Sequence, residues 1–164
     1  MTPGGTGPEL AIHEIDPGDA VTGPALLALQ RASYAVEAEL IAFPDLPLLT
    51  ESLEQLRAST ATFLGALDGD RLVGAVSWFR LDDGTVDIDR LVVDPAHHRR
   101  GIASALLDAL AGWAPTHRTV VATGSANGPA LALYVRHGFV SCGEREVADG
   151  VRVTDLERGA APGG

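Results

Sequence analysis

The sequence contains one cysteine, no lysine and five histidines. A single cysteine, Cys142, excludes a disulfide within the chain and any cysteine-based metal cluster. Cys142 falls in a predicted strand, where a buried structural thiol is favoured over a catalytic one. The histidines show no ligand spacing such as HxxxH, so we expect no metal site.

Features that would direct the chain into a membrane or out of the cell are also missing. No apolar run approaches the ~20 residues that a membrane-spanning helix needs. The opening residues, MTPGGTGPEL, have neither the basic region nor the apolar stretch of a signal peptide. We therefore expect a cytoplasmic protein without a membrane partner.

The charge balance is strongly acidic. All 12 basic residues are arginine, and they face 22 acidic residues, which gives a net charge of −10. This balance disfavours a nucleic-acid partner, because binding phosphates requires an excess of positive charge. It suits a cationic small molecule or a basic peptide end. The alternative is that the acidity only keeps the protein soluble.

The chain has the length and composition of one domain. Its 164 residues are 46% hydrophobic, enough for a real core. Residues 1–8 and 159–164 are rich in glycine and proline and are predicted to be flexible tails. The domain is expected to occupy residues 9–158.

Hydrophobic periodicity predicts the order β-α-α-β-β-β-α-β-α-β-β. Strands are expected at 10–15, 60–67, 71–79, 85–93, 119–124, 139–147 and 151–157, and helices at 21–41, from about Thr50, at 101–113 and at 128–137. Short turns at 68–70 and 82–84 predict that strands two to four form an antiparallel meander. The pattern predicts an α/β fold with a mixed central sheet flanked by helices.

Positive charge is densest at HHRRG (His97–Gly101), between a predicted strand and a helix. The first N–H groups of a helix have no internal partners and attract anions. Gly101 and Ala103 would let a phosphate approach the backbone, and Arg99 and Arg100 add charge. The turn is predicted to hold a diphosphate, with an ordinary basic surface turn as the alternative. Neither a P-loop nor GxGxxG is present.

The string LVVDPAHHRRGIASALL resembles the acyl-CoA-binding motif of the GNAT N-acetyltransferase superfamily, although His98 stands where the family usually has Gln or Arg. A second signature, N-x-x-A-x-x-L-Y-x-x-x-G-F, is matched by Asn127, Ala130, Leu133, Tyr134, Gly138 and Phe139. The resemblance covers Thr60 to Glu157, whereas residues 10–58 match only in element order. It implies a single-domain GNAT-like fold with acetyl-CoA as co-substrate.

The resemblance also implies which residues hold acetyl-CoA. The pyrophosphate would lie against the amides of residues 98–104, and the pantetheine arm beside residues 91–93. A main-chain N–H near Leu91 or Val92 would bind the thioester carbonyl. Asn127 would contact pantetheine or order its loop, or would only cap a helix. The implied cofactor-binding residues are Leu91, Val92, Val93, His98, Arg99, Arg100, Gly101, Ile102, Ala103, Ser104 and Asn127.

Three residues are predicted to be catalytic. The resemblance makes Tyr134 the general acid that protonates the leaving thiolate, with a core aromatic as the alternative. Asp87 and Asp89 alternate along one strand and are expected to share a face. Asp87 falls where several family members carry a catalytic glutamate, and the shorter side chain would act through water. The alternative for both is a solvated strand face or a cross-strand pair with arginine.

The acceptor region is expected near Tyr34, Glu37, Glu39 and Phe43, where carboxylates would suit a cationic amine or would simply be solvated. The predicted function is acetyl transfer from acetyl-CoA to a primary amine of a small molecule or peptide. Direct attack would occur in a ternary complex. A non-catalytic acyl-CoA-binding regulatory module of the same fold is the alternative. The sequence leaves a homodimer open.

Overall fold

The computed structural model describes residues 10–41, 50–98 and 100–159. In this part of the chain the strands are β1 (Leu10–Ile15), β2 (Thr62–Asp68), β3 (Arg71–Arg80), β4 (Val86–Val93), β5 (Arg118–Gly124), β6 (Val140–Ala148) and β7 (Val151–Gly159). The helices are α1 (Thr22–Ile41), α2 (Leu53–Ala58), α3 (Ile102–Trp113) and α4 (Gly128–Arg136). The predicted element order and α/β class are confirmed.

The strands form one mixed sheet in the order β1-β2-β3-β4-β5-β7-β6. The predicted meander is confirmed, because β2, β3 and β4 pair antiparallel in sequence. β4 and β5 run parallel, and β5 pairs antiparallel with β7 along its whole length. Helix α3 packs on one face of β2–β4, and α1 packs on β3 and β4 with α2 beside it.

Two local expectations were wrong. Helix α2 is capped by Ser52 rather than Thr50, because the Ser52 hydroxyl accepts the Gln55 N–H while the Gln55 side chain accepts the Ser52 N–H. Cys142 lies in a strand as predicted, but it is exposed rather than buried. Its strand, β6, is the last in the sheet order, and the side chains of its first eight residues are exposed.

The close approach of α3 to the sheet depends on Gly74 in β3. A Cβ built on Gly74 would lie 2.7 Å from Cγ2 of Ile102 and 3.1 Å from Cδ1 of Leu106. Both side chains are at most 2% exposed and have little room to move. The missing side chain at Gly74 therefore sets the position of the first turn of α3 over β3 and β4.

Replacing Gly74 by alanine is expected to destabilise the fold by about 1–3 kcal/mol, because the added methyl group overfills the contact with α3. Gly112 in α3 is the matched control, since nothing lies within 4 Å of a Cβ built there. Gly112→Ala should stabilise the protein by about 0.5–1 kcal/mol through helix propensity. Urea unfolding measures both free energies, and equal effects would contradict the close approach.

Candidate active site

A cleft of about 1040 Å³ lies where β4 and β5 separate. The two strands pair only at Val86 with Thr119 and at Asp87 with Val120. Beyond these residues the gap is lined by β4, β5, the first turn of α3, α1, α4 and the β6–β7 hairpin. The middle of the sheet is thus open to a ligand.

A β-bulge lies in β4 at the start of the gap. Ile88 pairs with Trp78 and Arg90 with Ser77, so Asp89 is the extra residue on β4. A bulge bends its strand and increases the local twist. The bulge at Asp89 lies shortly after Asp87, the last β4 residue that pairs with β5, where the two strands begin to separate.

The backbone of Leu91 points into the gap. The Asp94 N–H donates to the Val73 carbonyl across the β3–β4 ladder at 2.9 Å. Because hydrogen-bond directions alternate along an antiparallel pair, Val92 also faces β3, whereas Leu91 and Val93 face away from it. The Val93 N–H lies 3.4 Å from the Ser33 hydroxyl of α1. The Val92 side chain is buried beside Ala75 and does not line the described cleft.

The N-terminus of α3 forms one end of the cleft. Gly101 is its N-cap, with a φ of 74° that favours glycine, and no side chain caps the helix there. The cleft is lined at this end by His98, Gly101, Ile102, Ala103 and Ser104. Arg100 is exposed beside this end but outside the described lining, and Arg99 lies outside the described residues. The turn therefore presents backbone N–H groups to the cleft, as an anion site requires.

Two histidines support this end of the cleft. Nδ1 of His97 lies 3.4 Å from Oδ2 of Asp94, and His97 lines the cleft. The ring of His137, just after α4, hydrogen-bonds the Ser104 hydroxyl at 3.1 Å. The second contact ties the first turn of α3 to the end of α4.

Tyr134 of α4 is both a core residue and part of the cleft wall. It is 4% exposed, and its ring packs edge-to-face against Phe139 with centroids 5.3 Å apart. Burial raises the pKa of Tyr134 well above its ordinary value, and the charge of Glu37 adds to this shift. A phenol with a raised pKa stays protonated at neutral pH and can donate a proton.

Asn127 links α4 to α1. Its Oδ1 accepts the Ala130 N–H at 3.2 Å, so the predicted helix cap is confirmed. Its Nδ2 donates to Oε1 of Glu37 at 3.2 Å. Both residues line the cleft. Burial raises the pKa of Glu37, and the hydrogen bond from Asn127 partly opposes that shift.

A buried arginine holds Asp89. The Arg90 Nε lies 2.7 Å from Oδ2 of Asp89, and its Nη1 lies 2.8 Å from both Oε1 of Glu51 and Oε1 of Gln30. The Ser77 hydroxyl also donates to Oδ2 of Asp89 at 3.0 Å. The sequence analysis did not predict a role for Arg90. The one sequence feature that could have indicated it is the presence of an arginine inside a largely apolar strand. The ion pair joins neighbours on β4 rather than residues on facing strands.

The two predicted aspartates differ in position. Asp89 lines the cleft, whereas Asp87 is half-buried outside its described lining. Burial raises the pKa of Asp87, and the charge of Asp89 adds to the shift.

Only some residues of the expected acceptor region lie in the cleft wall. Tyr34 and Glu37 line the cleft, Glu39 is exposed outside the described lining, and Phe43 lies outside the described residues. Five apolar side chains from α1 and the β6–β7 hairpin also line the cleft, which are Val36, Leu40, Val147, Val151 and Val153.

Within residues 10–41, 50–98 and 100–159, no group of three or more histidine, cysteine, aspartate or glutamate side chains is placed to hold a metal ion. None of the helices there combines the length and the apolar character needed to cross a bilayer.

Known sequences match most of the chain. The sequence profile of the acetyltransferase (GNAT) family matches residues 25–139. The UPF0157 protein YqkA of Bacillus subtilis (strain 168) is 31% identical over 134 residues, which are 81% of this chain but only 39% of that protein. The uncharacterized N-acetyltransferase YedL of Escherichia coli (strain K12) is 30% identical over 129 residues, covering 76% of this chain and 80% of YedL.

Solved structures share the fold. The ribosomal-protein-S18-alanine N-acetyltransferase of Escherichia coli superposes with a TM-score of 0.74 at 15% identity, covering 95% of this chain and 97% of that one. The PaiA N-acetyltransferase of Thermoplasma acidophilum, solved in complex with coenzyme A, gives 0.72 at 15% identity, covering 92% and 99%. Such identities establish the fold alone, and the sequence matches establish the rest: this chain belongs to the GNAT acetyltransferase family.

Proposed function

We propose that this protein transfers an acetyl group from acetyl-CoA to a primary amine by direct attack within a ternary complex. The observation that carries the proposal is the gap between β4 and β5. One cleft joins the N-terminus of α3, the outward-facing backbone of Leu91 and the side chain of Tyr134. An anion site, a backbone donor and a proton donor are the groups that acyl transfer from a CoA thioester needs.

The cofactor would lie along the open edge of β4. The free N–H groups at the start of α3 would hold the pyrophosphate, with small side chains at Gly101 and Ala103 allowing close approach. The backbone of Leu91 and Val93 would pair with the amides of the pantetheine arm in place of a neighbouring strand. The coenzyme A bound by the PaiA enzyme of the same fold supports this choice of ligand.

In the transfer step, the amine nitrogen attacks the thioester carbonyl carbon and forms a C–N bond. The Leu91 N–H donates to the carbonyl oxygen as negative charge develops on it. The C–S bond then breaks, and Tyr134 protonates the departing thiolate. The ammonium group must first lose a proton, and Asp87 and Asp89 are the acceptors that the sequence predicts.

Tyr134→Phe is expected to lower kcat by about 10²-fold or more, because the thiolate would leave without a proton donor. Its acetyl-CoA affinity should stay within about twofold, since the ring and its packing against Phe139 remain. Thiol release and calorimetric titration measure the two quantities.

Tyr34→Phe is the comparison variant, because the chain has two tyrosines and both line the cleft. A larger loss of kcat in Tyr34→Phe, or equal losses of turnover and binding in Tyr134→Phe, would contradict the assignment. Acetyl-CoA binding by the wild type without thiol release with any amine would favour the regulatory module.

Gly101→Glu should abolish acetyl-CoA binding, because it adds a negative side chain where the pyrophosphate would lie. Gly69 in the β2–β3 turn is the matched control. Both glycines have positive φ, 74° and 65°, and a Cβ built on either meets nothing within 4 Å. Gly69→Glu therefore carries similar backbone strain far from the cleft and should keep its affinity. Equal affinities of the two variants would place the pyrophosphate elsewhere.

A further inference from the structure

We propose that Glu37 binds the ammonium group of the acceptor and takes its proton, and that the acceptor carries this ammonium on an apolar group. The proposal rests on the acetyltransferase function proposed above. It assigns to a helix residue the role that the sequence predicts for Asp87 or Asp89.

Glu37 lies half-buried on α1 in the wall of the cleft, and its charge contributes to the raised pKa of Tyr134. Oδ1 of Asn127 is occupied by the Ala130 N–H, which fixes the orientation of the amide and directs Nδ2 to Oε1 of Glu37. Within the described residues, no hydrogen bond reaches Oε2 of Glu37. One carboxylate oxygen is held and the other is available to an amine.

Glu37 and Asp89 are the two acidic side chains in the described lining of the cleft. Oδ2 of Asp89 is held by the buried guanidinium of Arg90, which also pairs with Glu51, and by the Ser77 hydroxyl. Asp87 lies outside that lining. Glu37 therefore combines a place in the cleft with a charge that no described basic side chain pairs.

The surroundings of Glu37 favour proton transfer. Burial raises the pKa of Glu37, so the carboxylate is a stronger base than an exposed one. The other titratable or charged groups along the cleft are Tyr34, Asp89, Arg90, His97, His98, Tyr134 and Arg136. Of these, His97 and His98 lie at the end formed by α3, and Arg90 is paired with Asp89 and Glu51.

Apolar side chains in the cleft suit an apolar body of the substrate. Val36 and Leu40 lie one residue before and one turn after Glu37 in sequence, and both line the cleft. Val147, Val151 and Val153 of the β6–β7 hairpin line the same cleft. A carboxylate beside apolar side chains complements an ammonium on an alkyl or aryl group. The ammonium would pair with the carboxylate, and the alkyl or aryl group would pack against the apolar side chains.

The test uses the full chain with acetyl-CoA and hexylamine, following thiol release. Glu37→Gln keeps the shape and the hydrogen bond with Asn127 but cannot accept a proton. It should lower kcat/KM by about 10²-fold or more while acetyl-CoA affinity stays unchanged. Glu14→Gln removes the same charge from an exposed side chain of β1, and it should change kcat/KM less than twofold. A loss below about threefold in Glu37→Gln, or a larger loss in Asp87→Asn or Asp89→Asn, would overturn the assignment.

The pH profile separates proton transfer from simple positioning. In the wild type, kcat/KM should fall as pH drops through the raised pKa of Glu37, because the protonated carboxyl cannot act as a base. Asn127→Asp keeps an N-cap for α4 but places a second carboxylate beside Glu37. The like charge should move the acidic limb upward by about one pH unit. An unmoved limb in Asn127→Asp would contradict the proposal.

The substrate class is tested with 5-aminopentan-1-ol, which has the length of hexylamine but ends in a hydroxyl group. Its kcat/KM should be at least about tenfold lower than that of hexylamine, because the proposed apolar wall would have to desolvate the hydroxyl group without a hydrogen-bond partner. Equal or higher values would overturn the apolar class alone. Acetyl-CoA binding without turnover of hexylamine would overturn this proposal while leaving the cofactor site standing, and absence of acetyl-CoA binding would overturn the proposed function itself.

Discussion

Two parallel strands at the centre of the sheet, β4 and β5, pair only at Val86–Asp87 with Thr119–Val120. A sheet that opens in its middle leaves backbone N–H and C=O groups without a neighbouring strand, and such groups need other partners. The bulge at Asp89 and the close seating of α3 over Gly74 fix the shape of the opening. We propose that an extended thioester completes the sheet at this open edge.

The carboxylates around the opening differ in the groups that hold them. The buried guanidinium of Arg90 pairs with the carboxylates of Glu51 and Asp89, and removing it would leave both without this cationic partner. Glu37 is held instead by a neutral amide from Asn127. Asp89 is thus held in place by a guanidinium, whereas we propose that the amide-held carboxylate of Glu37 exchanges a proton with the acceptor.

The sequence predicted the fold and the α3 turn because both depend on local patterns. Strand alternation, short turns and the glycine at position 101 act over a few residues. The partners of Arg90 could not be predicted in this way, since Gln30 and Glu51 come from elements far away in sequence. The burial of Cys142 was predicted wrongly for the same reason, because the position of β6 at the sheet edge is set by long-range pairing.

The central claim is that the opening between β4 and β5 is built for a CoA thioester. Thermal unfolding with acetyl-CoA, CoA or ATP tests it most directly. A ligand at ~100 times its Kd stabilises the folded state by about 2.7 kcal/mol, which shifts Tm visibly. The account predicts stabilisation by acetyl-CoA and CoA but not by ATP, because only the former two have a pantetheine arm to pair with β4. An unchanged Tm with all three would contradict it.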